Sequence, residues 1–168
     1  MAGKKSSNDE AAAATPAYAA LARADVRFTP HAYQHDPRAA SFGTEAADAL
    51  GVEPRRVFKT LLVDLDGSLV VGVVPVSGSL DLKAVASALG GKRAQMANPQ
   101  AAQRATGYVI GGISPFGQRH HHRTVVDASA EQHPTVFVSA GRRGLEVEVT
   151  PQVLLSMTGA VVASVSRS

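Results

Sequence analysis

The dipeptide Asp66-Gly67, placed between two apolar runs, constrains the fold of this chain more than any other feature. Residues 57–65 and 69–76 are rich in β-branched and leucine side chains, as strands typically are. An Asp-Gly pair suits a type I′ turn, because both central residues of that turn need positive φ. The two runs therefore predict an antiparallel hairpin.

Five segments carry helix signals. Three begin with a capping side chain followed by proline, which suits the first helical position because its missing N–H has no helical partner there. These starts are Thr15-Pro16, Asn98-Pro99 and Thr150-Pro151. Two further helices are predicted over residues 44–50 and 81–89. Glycines suited to a helix C-terminus follow at Gly51, Gly90, Gly107 and Gly159.

Other short β-branched runs, at 26–33, 124–127, 135–139, 145–149 and 161–165, predict further strands. Helices and strands do not alternate regularly, which argues against a doubly wound parallel fold. We therefore predict one α+β domain with a mixed, largely antiparallel sheet over residues 15–168. Residues 1–14 contain a Lys4-Lys5 pair and an alanine run without an apolar stripe, so we expect a disordered leader there.

The chain has no cysteine and a formal net charge of +3. It therefore has no disulfide, no Cys-ligated zinc and no thiolate nucleophile of its own. The positive charge weakly favours a polyanionic partner. No window has the apolar core of a signal peptide or the roughly 18 to 20 apolar residues of a membrane span. We expect a cytoplasmic protein.

Two features suggest a site. Lys59 lies in a predicted strand, on the same face as apolar neighbours; its side chain either extends to water at the strand end or holds an ammonium group over a cleft. The glycine-rich loop over 107–117 either donates backbone N–H groups to a ligand or makes a tight turn. The histidines, including His31, His35 and the run at 120–122, lack the spacing of metal ligands, so no metal is expected.

Five strings in this order resemble the YbaK-type Cys-tRNA(Pro) deacylases. They are FKTL at 58–61, LDLK at 80–83, AQRATGY at 102–108, GGISP at 111–115 and SAGRRGL at 139–145. The resemblance runs in register from about residue 15 to the C-terminus. It implies an α+β fold with a central, barrel-like sheet flanked by helices, related to the editing domain of bacterial prolyl-tRNA synthetases, and it implies no cofactor.

The resemblance also implies the site residues. It places the essential lysine at Lys59 and a backbone contact of the reacting group at Gly111. Substrate-binding positions fall on Tyr33, Thr60, Gly112, Ser139 and Glu146. Glu146 is a departure, since the better-studied members of the family carry aspartate there. After Gly117, histidines replace the usual lysine and arginine, which would make tRNA contact there depend on pH.

We expect the paired basic residues to contact tRNA backbone phosphates, which gives affinity without sequence readout. These residues are Arg119, Arg123, Arg142 and Arg143. Prolyl-tRNA synthetase is the partner that the family pattern suggests for tRNA selectivity.

The resemblance implies a reaction in which the thiol of the mischarged cysteine attacks its own ester. Two alternatives stay open. The chain could edit another small amino acid such as alanine, which needs an activated water, or it could bind aminoacyl-tRNA or a nucleotide end without catalysis.

Overall fold

The predicted hairpin forms the centre of the larger sheet. The computed structural model describes residues 15–39 and 41–168, apart from the side chain of Phe42; the predicted leader lies outside the described residues. Strands β2 (Phe58–Leu65) and β3 (Ser68–Pro75) pair antiparallel along their full length. Asp66 has a φ of 52° and Gly67 a φ of 89°, as a type I′ turn requires. The carboxylate of Asp66 accepts hydrogen bonds from the backbone N–H groups of Lys92 and Arg93, both at 2.9 Å, and thereby fixes the turn to a neighbouring segment.

The remaining strands are short. They are β1 (Thr29–Ala32), β4 (Ser79–Leu80), β5 (Ala94–Met96), β6 (Thr124–Asp127), β7 (Val136–Arg142), β8 (Leu145–Val149), β9 (Val161–Ala163) and β10 (Ser166–Arg167). A five-stranded sheet has the order β5-β2-β3-β6-β9, a three-stranded sheet the order β1-β8-β7, and β10 pairs with β4. The β3–β6 and β6–β9 pairs are parallel and the others antiparallel.

This arrangement confirms the predicted α+β class with a mixed, largely antiparallel sheet. The strands do not close into a barrel. In the described part of the chain, the edge strands β5 and β9 pair with no strand of the three-stranded sheet. An isolated backbone bridge between Val57 and Phe137 joins the two sheets instead.

Five helices flank the sheets in the described ranges: α1 (Pro16–Arg23), α2 (Phe42–Leu50), α3 (Leu82–Ala88), α4 (Pro99–Thr106) and α5 (Pro151–Thr158). Two 3₁₀ segments, Pro54–Arg56 and Ala128–Gln132, complete the elements. No helix in those ranges combines the length and the hydrophobicity that a bilayer crossing demands.

The predicted helix boundaries follow from their caps. Thr15, Asn98 and Thr150 each accept a hydrogen bond from a backbone N–H in the first turn. Gly51, Gly107 and Gly159 end their helices with φ values of 67°, 80° and 64°. Helix α2 begins two residues before its predicted start, because the Ser41 hydroxyl accepts from the N–H of Thr44 at 3.4 Å and acts as the cap.

Alternation along β2 divides the apolar core in two. Phe58 and Leu62 pack into a cluster that also contains residues of α1, α4, α5, β7 and β8. Val63 and Leu65 pack on the opposite side with Val85 of α3. Strand β2 thus contributes side chains to both apolar clusters. Its N-terminal half lies beside the three-stranded sheet, where the candidate site forms.

Candidate active site

A cleft of about 520 Å³ opens where β2 and α4 meet β7, β8 and the loop that follows α4. Its walls are mostly apolar, with Phe58, Leu61, Met96, Ile110 and Ile113 among them. The lining residues with polar side chains are Ser41, Lys59, Thr60, Ser139 and Glu146. The fold therefore gathers strings that are far apart in sequence into one concave, largely apolar site, as ligand sites commonly are.

Lys59 lies on β2 and lines this cleft, half-buried. Burial lowers the pKa of its ammonium group, because removal from water disfavours the charged form. Within residues 15–39 and 41–168, the ammonium group has no hydrogen bond and no ion pair. Lys59 therefore lines a cleft, and its role there stays a prediction.

Thr60 and Glu146 bring two buried polar atoms to the same cleft. Thr60 Oγ1 and Glu146 Oε2 have no hydrogen-bond partner among the described residues, an arrangement that is costly in a folded protein and needs an explanation. Burial raises the pKa of Glu146 to about 8, so most of this carboxyl is protonated at pH 7. A neutral carboxyl offers both a donor and an acceptor, which suits the recognition of a polar group on a bound ligand.

Ser139 lies opposite Glu146 in the pairing of β7 with β8. Its hydroxyl accepts a hydrogen bond from the N–H of Gly141 at 3.2 Å. The next positions of β7 are irregular, since the register shifts between Ser139 and Arg142. The bulge ends regular pairing beside the cleft, a place where bulges commonly occur.

Gly111 lines the cleft at the tip of a turn. The N–H of Gly112 donates to the carbonyl of Val109 at 2.9 Å, and Gly111 has a φ of 90°. The N–H of Ile110 donates to Gln103 Oε1 at 2.9 Å. Sequence reasoning missed Gln103 although it lies in the string AQRATGY, because nothing in that string shows that the side chain bonds a loop seven residues away.

Two predicted site residues lie outside the cleft lining. Gly112 packs against backbone, since a Cβ there would lie 3.0 Å from the Cα of Arg142; its lack of a side chain permits this close approach. Tyr33 lies just after β1, and its N–H donates to the carbonyl of Gly144 at 2.9 Å. Burial and, secondarily, the charge of Glu146 raise the pKa of Tyr33 to about 12, so its hydroxyl stays neutral near the site.

Tyr18 is a supporting residue that sequence reasoning missed. Its buried hydroxyl donates to the backbone carbonyl of Glu146 at 2.7 Å. This bond fixes α1 to β8 at the residue that carries the buried carboxyl. An apolar helix position does not reveal such a contact in the sequence.

Comparison with known families decides which group of proteins this cleft belongs to. The model of the aminoacyl-tRNA editing domain matches residues 36–157, a range that includes every polar residue of the cleft lining. The chain belongs to the aminoacyl-tRNA editing domain family. The predicted family is confirmed, and with it the class of activity, a trans-acting enzyme that deacylates aminoacyl-tRNA.

A protein of Enterococcus faecalis, named as a candidate Cys-tRNA(Pro)/Cys-tRNA(Cys) deacylase, is 38% identical over 121 residues, which cover 71% of this chain and 74% of the relative. Among solved structures, a candidate trans-editing enzyme for prolyl-tRNA synthetase superposes with a TM-score of 0.81 at 24% identity, covering 98% of this chain and 100% of that one. A protein of unassigned function gives 0.78 at 29% identity, covering 88% and 96%. These structures share the fold of this editing domain.

The arginines predicted to contact tRNA differ in their surroundings. Arg142 is exposed at the end of β7, and Arg119 lies in a shallow polar groove at the end of α4. Arg123 is exposed as a residue, but its guanidinium donates to the carbonyl of Leu89 at 2.6 Å. Arg143 donates to the carbonyl of Ile110 at 2.8 Å. Arg119 donates to the carbonyl of Arg104 at 3.4 Å. Three of the four arginines predicted to contact tRNA therefore donate to carbonyls of the protein's own backbone.

Three histidines of this editing domain lie within hydrogen-bond distance of a polar side chain. His31 Nε2 lies 2.9 Å from Glu148 Oε1, and His122 Nδ1 lies 2.8 Å from Gln118 Oε1. In the described ranges, no three His, Cys, Asp or Glu side chains lie close enough together to hold a metal ion.

Proposed function

We propose that this protein removes cysteine from mischarged tRNA(Pro) by cleaving the ester bond in the cleft. The observation that carries the proposal is the composition of the lining: Lys59, Thr60 and Glu146 bring polar groups without a partner among the described residues to a cleft with apolar walls. The curated relative named for Cys-tRNA(Pro) and Cys-tRNA(Cys) supports the choice of amino acid.

The cleft supplies no activated nucleophile of its own. The chain has no cysteine, no histidine is among the described residues that line the cleft, and the Ser139 hydroxyl contacts a backbone N–H and not a base. A serine without an adjacent base is a weak nucleophile. The thiol of the substrate is therefore the best nucleophile in the site.

In the proposed step, the cysteinyl sulfur attacks its own ester carbonyl carbon and forms a C–S bond. The bond from that carbon to the ribose oxygen breaks, and the thiol proton ends on the ribose oxygen. The products are tRNA with a free terminal hydroxyl and a cysteine thiolactone, which water then opens to cysteine. The protein contributes by holding the thiol near the carbonyl, since proximity alone accelerates such reactions strongly.

Each cleft residue has a distinct role in this proposal. The backbone N–H of Gly111 stabilises the negative charge that develops on the carbonyl oxygen of the ester, as oxyanion holes do. Lys59 binds a phosphate of the terminal adenosine. Thr60 and the neutral Glu146 hydrogen-bond the amino acid, and the apolar wall accepts its small side chain.

Selectivity for the tRNA comes from outside the cleft. Exposed arginines such as Arg142 contact backbone phosphates without reading the sequence. We propose that prolyl-tRNA synthetase, in the cytoplasm, supplies the identity of the tRNA. The fold shared with a candidate trans-editing enzyme for that synthetase supports this partner.

The test compares the release of labelled amino acid from Cys-tRNA(Pro), Ser-tRNA(Pro) and Ala-tRNA(Pro) by the full chain. Serine differs from cysteine in one atom, so the thiol mechanism predicts rapid loss of cysteine and little loss of serine or alanine. Equal release of alanine would assign the cleft to a water-dependent editing reaction. Binding without any release would contradict catalysis.

The synthetase proposal needs a second comparison, between Cys-tRNA(Pro) and Cys-tRNA(Cys), with and without prolyl-tRNA synthetase. We expect similar rates for the two tRNAs when the protein acts alone, and preference for tRNA(Pro) when the synthetase is present. A strong preference by the protein alone would show that selectivity resides in this chain.

A further inference from the structure

The turn that carries Gly111 has one of the two common β-turn geometries. Residues 109–112 form a β-turn closed by the hydrogen bond from Gly112 N–H to Val109 O. Its third residue, Gly111, has a φ of 90°, and Ile110 before it is not among the residues with positive φ. These signs identify a type II turn. In a type I turn the central peptide, here between Ile110 and Gly111, would be rotated by about 180°.

Arg143 contacts this central peptide. Its Nη2 donates to the Ile110 carbonyl at 2.8 Å. Arg143 does not line the cleft, whereas Gly111 does. Because the C=O and N–H of a trans peptide point in opposite directions, a carbonyl held toward Arg143 directs the Gly111 N–H away from Arg143. That N–H has no protein acceptor among the described residues.

We propose that Arg143 is a positioning residue for the deacylation, and that its hydrogen bond to Ile110 directs the Gly111 N–H toward the carbonyl oxygen of the ester. This inference rests on the proposed function. The guanidinium charge also polarises the peptide, which makes the N–H on its far side a stronger donor. Gln103 accepts a hydrogen bond from the N–H of Ile110. That N–H belongs to the peptide before Ile110, so Gln103 does not contact the peptide between Ile110 and Gly111.

A role in orientation and a role in tRNA binding predict different kinetics. A phosphate contact contributes to affinity, so its loss raises the protein concentration needed for half-maximal rate. An oriented donor acts on the developing oxyanion, so its loss lowers the rate with substrate fully bound. Arg142 provides the matched comparison, since it is exposed, adjacent in sequence and has the same charge.

The experiment measures single-turnover deacylation of Cys-tRNA(Pro) over a range of protein concentrations for the wild type, Arg143→Met, Arg143→Lys and Arg142→Met. We expect Arg143→Met to lower the saturated rate about 10- to 100-fold, less than the loss of a whole oxyanion donor. Arg143→Lys should recover part of that rate, because an ammonium can still donate to Ile110. Arg142→Met should mainly raise the half-saturating concentration.

Two kinetic outcomes would overturn the inference. One is an Arg143→Met defect confined to the half-saturating concentration and fully restored by lysine, which identifies a phosphate contact. The other is identical behaviour of Arg143→Met and Arg142→Met.

A second measurement does not depend on activity. The residual dipolar coupling of the Gly111 N–H reports the direction of that bond in the folded protein. We expect it to change in Arg143→Met and to stay near the wild-type value in Arg142→Met. An unchanged coupling in folded Arg143→Met would contradict the inference even if the wild type deacylates Cys-tRNA(Pro). If the wild type deacylates no tRNA while the coupling changes as expected, the proposed function fails and the orienting contact stands.

Discussion

Glu146 lies directly opposite Ser139 in the antiparallel pairing of β7 with β8, and both residues line the cleft. Partners in such a pair project their side chains to the same face of the sheet. The pairing therefore brings a buried carboxyl and a hydroxyl to one wall of the site. Since Glu146 Oε2 has no partner among the described residues, its protonation governs both the stability of the fold and the charge of the pocket.

The first prediction concerns the pH dependence of stability. Burial raises the pKa of Glu146 from 4.5 to about 8. Between these values the folded state keeps a proton that the unfolded state has lost, so the free energy of unfolding falls as pH rises. The decrease is on the order of 4 kcal/mol between pH 5 and pH 9. Urea unfolding at pH 5, 7 and 9 measures it.

The neutral variant Glu146→Gln provides the comparison for this prediction. It should remove most of the decrease and unfold at higher urea than the wild type at pH 9. Glu131→Gln, at an exposed carboxyl, should keep the wild-type slope. A Glu146→Gln profile parallel to that of the wild type would show that Glu146 titrates normally.

The second prediction concerns Lys59. Lys59→Met keeps an unbranched apolar stem on β2 and removes only the ammonium group, whose charge is disfavoured by burial. Thermal unfolding should therefore show a Tm equal to or above that of the wild type. Deacylation of Cys-tRNA(Pro) at limiting protein should fall about 10- to 100-fold, the range expected for a lost charged hydrogen bond.

The salt dependence of tRNA binding shows whether Lys59 binds phosphate. Loss of one phosphate contact should reduce the slope of log affinity against log salt by about one. Lys83→Met removes an exposed lysine of α3 and serves as the control for net charge. Equal slopes for Lys59→Met and wild type would exclude the phosphate contact.

The third prediction compares two glycines with nearly the same positive φ. Gly67 and Gly111 have φ values of 89° and 90°, so alanine at either position should cost about 1 to 2 kcal/mol in the left-handed region. At Gly111 the strain falls on the turn that faces the cleft, and the proposed oxyanion contact should be lost. Saturated deacylation by Gly111→Ala should then drop about 100-fold.

Gly67→Ala is the control for this strain. Gly67 lies at the β2–β3 turn, and a Cβ there meets no atom within 4 Å. We expect a similar loss of stability with deacylation near the wild-type rate. Equal kinetic defects in the two variants would mean that strain lowers activity through general instability of the fold.

Much of the fold was predictable because local signals determine it. The Thr15, Asn98 and Thr150 caps and the Asp66-Gly67 turn use contacts within a few residues. Strands β4, β5 and β10 were missed because each has only two or three residues. Such strands form only when a distant partner is already in place, so no periodicity reveals them.

The candidate site was predicted less completely, for a related reason. Lys59 and Thr60 adjoin in sequence, but the approach of Glu146 and Gly111 to them depends on how two sheets pack. The resemblance to a family identified these positions. It did not reveal that Gly112 packs against the β7–β8 turn. It also did not reveal that Arg143 donates to the Ile110 carbonyl, because the sequence does not show whether an arginine contacts RNA or backbone.

The fourth prediction tests whether Arg123 stabilises the fold or contacts tRNA. Its Nη2 donates to the carbonyl of Leu89 at the end of α3, and a bond from a charged donor contributes about 1.5 to 3 kcal/mol. Arg123→Met should therefore lower the free energy of unfolding by about 2 kcal/mol, as measured in urea. It should change the salt dependence of tRNA binding less than Arg142→Met does. If Arg123 stabilises α3, its removal must lower the free energy of unfolding. A large change in the salt dependence of tRNA binding without loss of stability would therefore identify Arg123 as a tRNA contact.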